Sequence, residues 1–159
     1  MQPSIVSQQL VDGLFSAYAR LKEKDRDRIN LAIQRMLRAR CQQFPGNRAI
    51  DLAIALEVLF MNAERDEHSY KISLRVARSL RNSLDERRTV FASVRKLYDM
   101  RSSMVHGGSA SNTSNVNGVQ TTGSDLVEFV DVICTESIRK FLSLGGIPEE
   151  WRNIELGCS

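Results

Sequence analysis

The sequence lacks the residue patterns that build disulfide frameworks and zinc sites. Its three cysteines are odd in number and far apart, with no CxxC pair and no flanking histidine: Cys41, Cys134 and Cys158. This pattern is typical of a reduced, intracellular chain. Only two histidines are present, so a Ser-His-Asp triad or a histidine-based metal site would have to use His68 or His106. We therefore expect no metal and no cofactor.

Long hydrophobic runs and secretion signals are also missing. No apolar run approaches the length of a membrane span, and the N-terminus, MQPSIVSQQ, lacks a basic-then-apolar layout. We therefore expect a cytoplasmic chain without membrane contact. The glycine pair at 107–108 follows a predicted helix instead of opening one, so it is not a phosphate-binding loop. No strand pattern and no internal repeat is evident.

What the sequence does contain is a series of amphipathic helical patterns. The chain has 159 residues, of which 42% are hydrophobic, and this suits one domain, 1–159, with a substantial core. Residues 107–124 are almost entirely Gly, Ser, Asn and Thr, which predicts a long, mobile polar loop. The predicted fold class is all-α, a bundle of about five to six helices over 5–21, 24–43, 48–63, 66–83, a segment from Ser83 or Asp85 to His106, and 125–144.

The cations of the chain are mostly arginine. The formal net charge is only +3, but 17 of the 22 basic residues are Arg. Arginine binds phosphates and carboxylates through a planar fork, and it is also a good helix former, so its abundance modestly favours nucleic-acid contact. We interpret two arginine series as solvated helix edges: Arg26, Arg28, Arg35 and Arg38 in the second predicted helix, and Arg75, Arg78 and Arg81 in the fourth.

The third predicted helix is the most hydrophobic segment of the chain. It reads AIDLAIALEVLFM and should lie at the centre of the bundle. Glu57 interrupts this segment, and a carboxylate there should be paired or hydrogen-bonded because an isolated buried charge is costly. Arg101 is the predicted partner of Glu57, since it too stands among apolar residues.

Arg101 belongs to the segment around which the chain is organised, VFASVRKLYDMRSSMVHGG at 90–108. A guanidinium on the buried side of a helix keeps its charge and needs a carboxylate, a dimer partner or an anionic ligand. His106 stands at the predicted helix end, before two glycines that suggest a C-cap, and the helix carbonyls there favour a positive imidazole. Together these residues suggest phosphate chemistry without a metal. Arg101 continues an apolar stripe formed by Val90, Val94, Leu97 and Met104.

The spacing of Arg101 and His106 is a weak signal when it is taken alone. Positions five apart on a helix point about 140° away from each other. The two side chains therefore converge only if the helix frays before the glycines, or if two copies of the chain meet across a symmetry axis.

Three segments in this region resemble the Apea-like branch of the HEPN superfamily: ALEVLF at 55–60, LRVARSL at 74–80 and LYDMRSSMVHGG at 97–108. That branch has a buried LE pair, then an R-x-A segment, then a closing Y-x-x-R-S-x-x-V-H-G. The similarity spans about residues 24–108, in the same order and spacing. The matching positions are Leu56-Glu57, Arg75-Val76-Ala77, and Tyr98, Arg101, Ser102, Val105, His106 and Gly107.

The resemblance implies a helical bundle, commonly dimeric, in which R-x4-6-H motifs of two protomers face one composite groove. Active relatives are metal-independent endoribonucleases. In their reaction the RNA 2′-hydroxyl attacks the adjacent phosphate and leaves a cyclic phosphate and a 5′-hydroxyl. By this carry-over, His106 would be the general acid or base, and Arg101 would hold the phosphate and its developing charge.

The remaining candidate residues stand near this pair. Glu57, Ser102 and Tyr98 are expected to support it, and Arg95 and Lys96 are the candidates for binding the RNA substrate. Many active relatives have Asn, Asp or His directly after the Arg, where this chain has Ser102. The expected partners are RNA, a second copy of the chain, and an antitoxin or regulatory protein in defence or stress response.

A second function class stays open beside the nuclease. The chain could be a non-catalytic dimerisation or ligand-sensing module of a larger defence or regulatory protein. In that case Arg101 bonded to Glu57, and His106 capping a helix end, would both belong to the scaffold.

Overall fold

The predicted all-α helical bundle is confirmed by the computed structural model, which describes residues 7–62, 68–106 and 113–157. Each of the six predicted helices has a counterpart, and a seventh, short helix lies in the tail. None of the helices in these ranges combines the length and hydrophobicity that a membrane span requires. The elements are α1 (Gln8–Ala19), α2 (Glu23–Arg40), α3 (Pro45–Phe60), α4 (His68–Leu80), α5 (Leu84–Val105), β1 (Thr113–Val116), β2 (Val119–Thr122), α6 (Gly123–Leu144) and α7 (Arg152–Leu156).

Helix α3 is the centre of the bundle, as its composition predicts. It packs against α2, α4, α5 and α6. Burying a side chain of the size of Leu or Phe contributes roughly 1.5–3 kcal/mol, so this helix anchors the fold and fixes the place of Glu57. The side chains of α3 that are completely buried are Ala49, Leu52, Ala53, Ala55, Leu56, Leu59 and Phe60.

Helix α5 carries most of the predicted site and is held at both ends. At its start Ser83 and Glu86 form a capping box, in which the Glu86 N–H donates to Ser83 Oγ at 3.3 Å. At its end the Met104 side chain occupies the space over Gly46, the second residue of α3. A Cβ at Gly46 would collide with the Met104 thioether. The end of α5 therefore lies in close contact with the start of α3.

The prediction of a long polar loop over residues 107–124 is wrong for the part of this segment that the structure describes. Strands β1 and β2 pair in antiparallel register, from Thr113 opposite Thr122 to Val116 opposite Val119. Asn117 and Gly118 join them with φ angles of 51° and 86°, which is the geometry of a type I′ hairpin. Residues 107–112, including the glycine pair predicted as a helix cap, lie outside the described residues.

The hairpin also closes part of the core and determines where α6 begins. The Val116 side chain is only 6% exposed, although the segment was predicted to be a mobile polar loop. The Thr122 hydroxyl accepts the Asp125 N–H at 3.1 Å, so α6 begins at Gly123, two residues before the predicted start.

The interpretation of the second helix as having a solvated arginine edge is wrong for Arg28 and Arg35, whereas the Arg38 side chain is 65% exposed. Arg28 donates to the carbonyl oxygens of residues 58, 59 and 61 at the end of α3, at 2.8, 3.3 and 2.9 Å. These carbonyls have no partner within the helix, so the guanidinium caps them. Arg35 and Arg38 both pair with the buried carboxylate of Asp51.

The interpretation of the fourth helix is wrong for Arg75, which is 2% exposed. Its Nε donates to Glu155 Oε1 at 2.7 Å and its Nη1 to the Phe60 carbonyl oxygen at 2.8 Å. The guanidinium lies over the Trp151 ring, 5.3 Å from the centroid. Arg75 therefore ties α4 to the end of α3 and to the tail, where a carboxylate and a ring offset the cost of burying its charge.

Candidate functional site

An open groove of about 410 Å³ lies between the start of α4 and the end of α5. Four of the predicted site residues line it together. A substrate in this groove would meet a guanidinium, an imidazole, a hydroxyl and an aromatic ring. The lining residues are Ser69, Tyr98, Asp99, Arg101, Ser102, Val105 and His106.

Arg101 and His106 both line this groove within one protomer. Helix α5 stops at Val105, and His106 has φ −90° and ψ 16°, outside the α-helical range. Its N–H still donates to the Ser102 carbonyl oxygen at 3.1 Å, so the residue caps the last turn. The His106 side chain is exposed and accessible from the groove.

The predicted contact between Glu57 and Arg101 is confirmed. Arg101 Nη1 donates to Glu57 Oε1, and the two side chains are 32% and 25% exposed. The guanidinium also lies over the Tyr98 ring, with Cζ 5.8 Å from the centroid. A guanidinium has five N–H donors, so this pairing fixes its orientation and leaves donors for an anionic ligand.

Tyr98 supports the site through its ring and not as a proton donor near neutral pH. The residue is only 9% exposed, and its hydroxyl donates to the Ala53 carbonyl oxygen at 3.3 Å. Burial raises the pKa of Tyr98 far above its ordinary value, and the nearby negative charge of Glu57 raises it further. The phenol therefore stays neutral and holds α5 against α3.

The two residues predicted to bind substrate differ in position. Arg95 lies beside the groove, where its Nη1 donates to Ser69 Oγ at 2.7 Å. Lys96 does not line the groove, and its Nζ lies 3.2 Å from the Asp99 carboxylate, which does. Lys96 thus acts on the groove only by offsetting the negative charge of Asp99. Since both partners are largely exposed, this pairing is weak.

Two lining residues, Ser69 and Asp99, are not among those predicted from the sequence. Ser69 comes from α4 and is 26 positions away from Arg95, so only tertiary packing brings it to the groove. Asp99 stands on α5 between Tyr98 and Arg101, and helix geometry alone could have placed it on the groove side. A carboxylate at this position opposes an anionic substrate unless Lys96 compensates it.

The two remaining site expectations concern histidine and metals. His68 is the first residue of α4 and is exposed. Within the described ranges, no group of three or more His, Cys, Asp or Glu side chains is arranged to hold a metal ion. A comparison of the chain with family models, with curated proteins and with solved structures finds no match.

Proposed function

We propose that the chain is a HEPN-type endoribonuclease that acts as a dimer and cuts RNA without a metal ion. The observation that carries the proposal is the single groove lined by Tyr98, Arg101, Ser102 and His106. These are the residues of the Y-x-x-R-S-x-x-V-H-G pattern. An exposed imidazole beside an oriented guanidinium supplies the two groups that phosphoryl transfer from an internal hydroxyl requires.

In this reaction the 2′-oxygen loses its proton to a base and attacks the neighbouring phosphorus. The bond from phosphorus to the 5′-oxygen breaks, and the leaving oxygen takes up a proton. The products are a 2′,3′-cyclic phosphate and a 5′-hydroxyl. Arg101 binds the non-bridging oxygens as negative charge builds on them, and His106 carries out one of the two proton transfers. A second copy of the motif, across the dimer axis, brings a second imidazole for the other transfer.

One observation favours a second candidate, a non-catalytic dimerisation or ligand-sensing module. Arg101 already has a carboxylate partner in Glu57, and His106 already caps the last turn of α5. Both residues would then be explained by stability alone. Ser102, which stands where many active relatives have Asn, Asp or His, points in the same direction.

Cleavage of mixed RNA in the presence of EDTA separates the two candidates. The wild type should cleave, and His106→Ala should lower the rate by about a hundredfold or more, the usual contribution of a positioned acid or base. His68→Ala is the matched control, because His68 is also exposed but does not line the groove. The module predicts no cleavage by any variant. If His106→Ala cleaves as fast as the wild type, the catalytic proposal is wrong.

A further inference from the structure

The face of α4 and α5 that carries the Arg101 groove also carries a second groove at its other end. This groove has a volume of about 480 Å³. Its floor is apolar and includes Leu74 and Phe91, and its rim includes Arg78 and Arg87. We call it the Arg78–Arg87 groove.

Both grooves lie along one stripe of α5. Positions 87, 91, 95, 98 and 102 follow one another at steps of three or four residues, which places them on the same side of a helix. From position 87 to position 101 the helix rises by about 20 Å. The contact between Arg95 and Ser69 lies between the two grooves. One elongated ligand could therefore occupy both.

The positive charge of the Arg78–Arg87 groove favours an anionic ligand. Among the described residues, no carboxylate forms an ion pair with either Arg78 or Arg87. Arg87 Nε donates to the Arg81 carbonyl oxygen at 2.8 Å, which fixes the guanidinium while its terminal nitrogens stay available. Arg78 lies so close to Gly157 that a Cβ there would collide with it. The oriented guanidinium of Arg87, with the half-buried Arg78 lining the same groove, suits phosphate oxygens.

An aromatic pair lies at the Arg78–Arg87 groove, whose lining includes Phe91. Tyr70 of α4 packs edge-on against Phe91 of α5, with ring centroids 5.5 Å apart and an interplanar angle of 78°. Tyr70 is 48% exposed, so part of its ring is open to a ligand. Exposed rings beside arginines form the stacking platforms on which proteins bind unpaired bases.

We propose that the Arg78–Arg87 groove is a second nucleic-acid subsite, which binds the phosphates of a single RNA strand whose scissile phosphate lies in the Arg101 groove. The proposal rests on the proposed function for the identity of the strand. Tyr70 stacks on a base beside the Arg78–Arg87 groove, and Arg95 lies along the path. An acidic, amphipathic protein segment would match the arginines and the apolar floor, but it would not account for the continuity with the Arg101 groove.

Binding of a 2′-O-methyl oligonucleotide tests the proposed subsite independently of cleavage. The methyl group blocks the 2′-hydroxyl, so the strand cannot be cut. A labelled strand of about 12 nucleotides lies within the usual range of single-strand site sizes. Arg78→Gln with Arg87→Gln should weaken binding roughly twentyfold at about 0.1 M salt and reduce the slope of log Kd against log salt by about 1.4, since each single-strand phosphate contributes about 0.7. Circular dichroism checks that this double variant remains folded.

The matched control removes the same charge elsewhere. Arg20→Gln with Arg139→Gln changes two exposed arginines outside α4 and α5 and should leave Kd almost unchanged. Tyr70→Ala should weaken binding, and Tyr70→Phe should restore it because the ring is kept. In cleavage assays the Arg78 and Arg87 variant should raise KM and leave kcat unchanged.

The two proposals fail in different ways. Groove-dependent binding without cleavage supports the subsite and contradicts the nuclease. Cleavage by the wild type, with the same Kd for the Arg78 and Arg87 variant and its control, contradicts the subsite alone. If an acidic helical peptide binds through Arg78 and Arg87 and the oligonucleotide does not, the groove docks protein and the subsite proposal is wrong.

Discussion

Arg101 is held by a carboxylate on one side and an aromatic ring on the other, and both contacts keep its charge at the groove. The pair with Glu57 is about a quarter to a third exposed, so water screens it more than a fully buried pair. Its main effect is therefore orientation, and its contribution to stability is moderate. A freely rotating arginine would lose more side-chain entropy on binding a phosphate.

Replacing Glu57 by Leu should leave Arg101 without its carboxylate and lower the free energy of unfolding by about 1–2 kcal/mol. A fully buried pair would lose about 3–5 kcal/mol, and the exposure of both side chains reduces this. Urea unfolding measures the effect. In a double-mutant cycle, adding Arg101→Leu should recover part of the loss. Strict additivity of the two changes would contradict the pairing.

Tyr98 should make the protein less stable in strong alkali. Its folded-state pKa is raised by burial, so above about pH 10 the unfolded chain releases a proton that the folded chain keeps. The free energy of unfolding should thus be unaffected by Tyr98 below pH 10 and fall by about 1.4 kcal/mol per pH unit above it. Denaturant titrations across this range should show a shallower decline for Tyr98→Phe. Equal slopes for the two proteins would contradict the burial of this phenol.

At the residue scale, the sequence predicts a contact between two opposite charges that each interrupt an apolar segment. It does not predict the contacts that the C-terminal tail supplies. Glu57 and Arg101 each interrupt an apolar segment, which is enough to suggest their pairing. Arg75 looks like a member of a basic edge because its partners, Trp151 and Glu155, are about 80 positions away. No local pattern connects such residues.

At the scale of elements, the start of α5 decides how well the site-bearing helix is formed. The capping box of Ser83 and Glu86 satisfies backbone N–H groups that the helix cannot satisfy itself. Its far end is fixed by Met104 against Gly46. Any loosening of α5 displaces Arg101, which lies in its last two turns.

Ser83→Ala should remove the cap and cost about 1 kcal/mol, which corresponds to roughly 2–4 °C in Tm for a chain of this size. The matched control is Ser103→Ala, at an exposed serine of the same helix whose hydroxyl donates only to the Asp99 carbonyl oxygen among the described residues. Calorimetry should show a clear drop for the first variant and almost none for the second. Equal drops in Tm for the two variants would contradict a stabilising contribution of the Ser83 cap.

The hairpin shows where a composition argument fails. A stretch of Gly, Ser, Asn and Thr looks unable to bury a core, yet its Val116 side chain belongs to the hydrophobic core. The Asn117-Gly118 dipeptide between two four-residue strands was a usable signal, because both positions accept the positive φ of a type I′ turn. The helices were easier to predict, since each has several turns of periodic apolar residues.

At the scale of the whole molecule, the sequence predicts a helical bundle around α3 but not its surface. Helical periodicity fixes which side of each helix is buried, and hydrophobicity fixes which helix is central. The grooves depend on how α4 lies against α5, and hence on contacts such as Ser69 with Arg95. Ser69 and the Arg78–Arg87 groove could not be found without that packing.

A dimer that uses the Arg101 groove should depend on the exposed apolar side chain of Val105, which is 63% exposed. Sedimentation at tens of micromolar, roughly the range for a modest interface, should show a dimer for the wild type. Val105→Glu should shift it toward monomer. Val132→Glu is the control, since Val132 is similarly exposed, at 51%, but lies on α6. A wild-type monomer at these concentrations contradicts the dimer.

The chemistry of the product ends tests the central claim most directly. Purified wild-type protein is incubated in EDTA with an RNA oligonucleotide and with the same oligonucleotide carrying one 2′-deoxy residue at the mapped cut, and mass spectrometry identifies the ends. We predict 2′,3′-cyclic phosphate and 5′-hydroxyl ends from the first substrate, no cut at the deoxy position in the second, and loss of both products with His106→Ala. Cleavage at the deoxy position, or the same products from His106→Ala at the wild-type rate, would contradict the account.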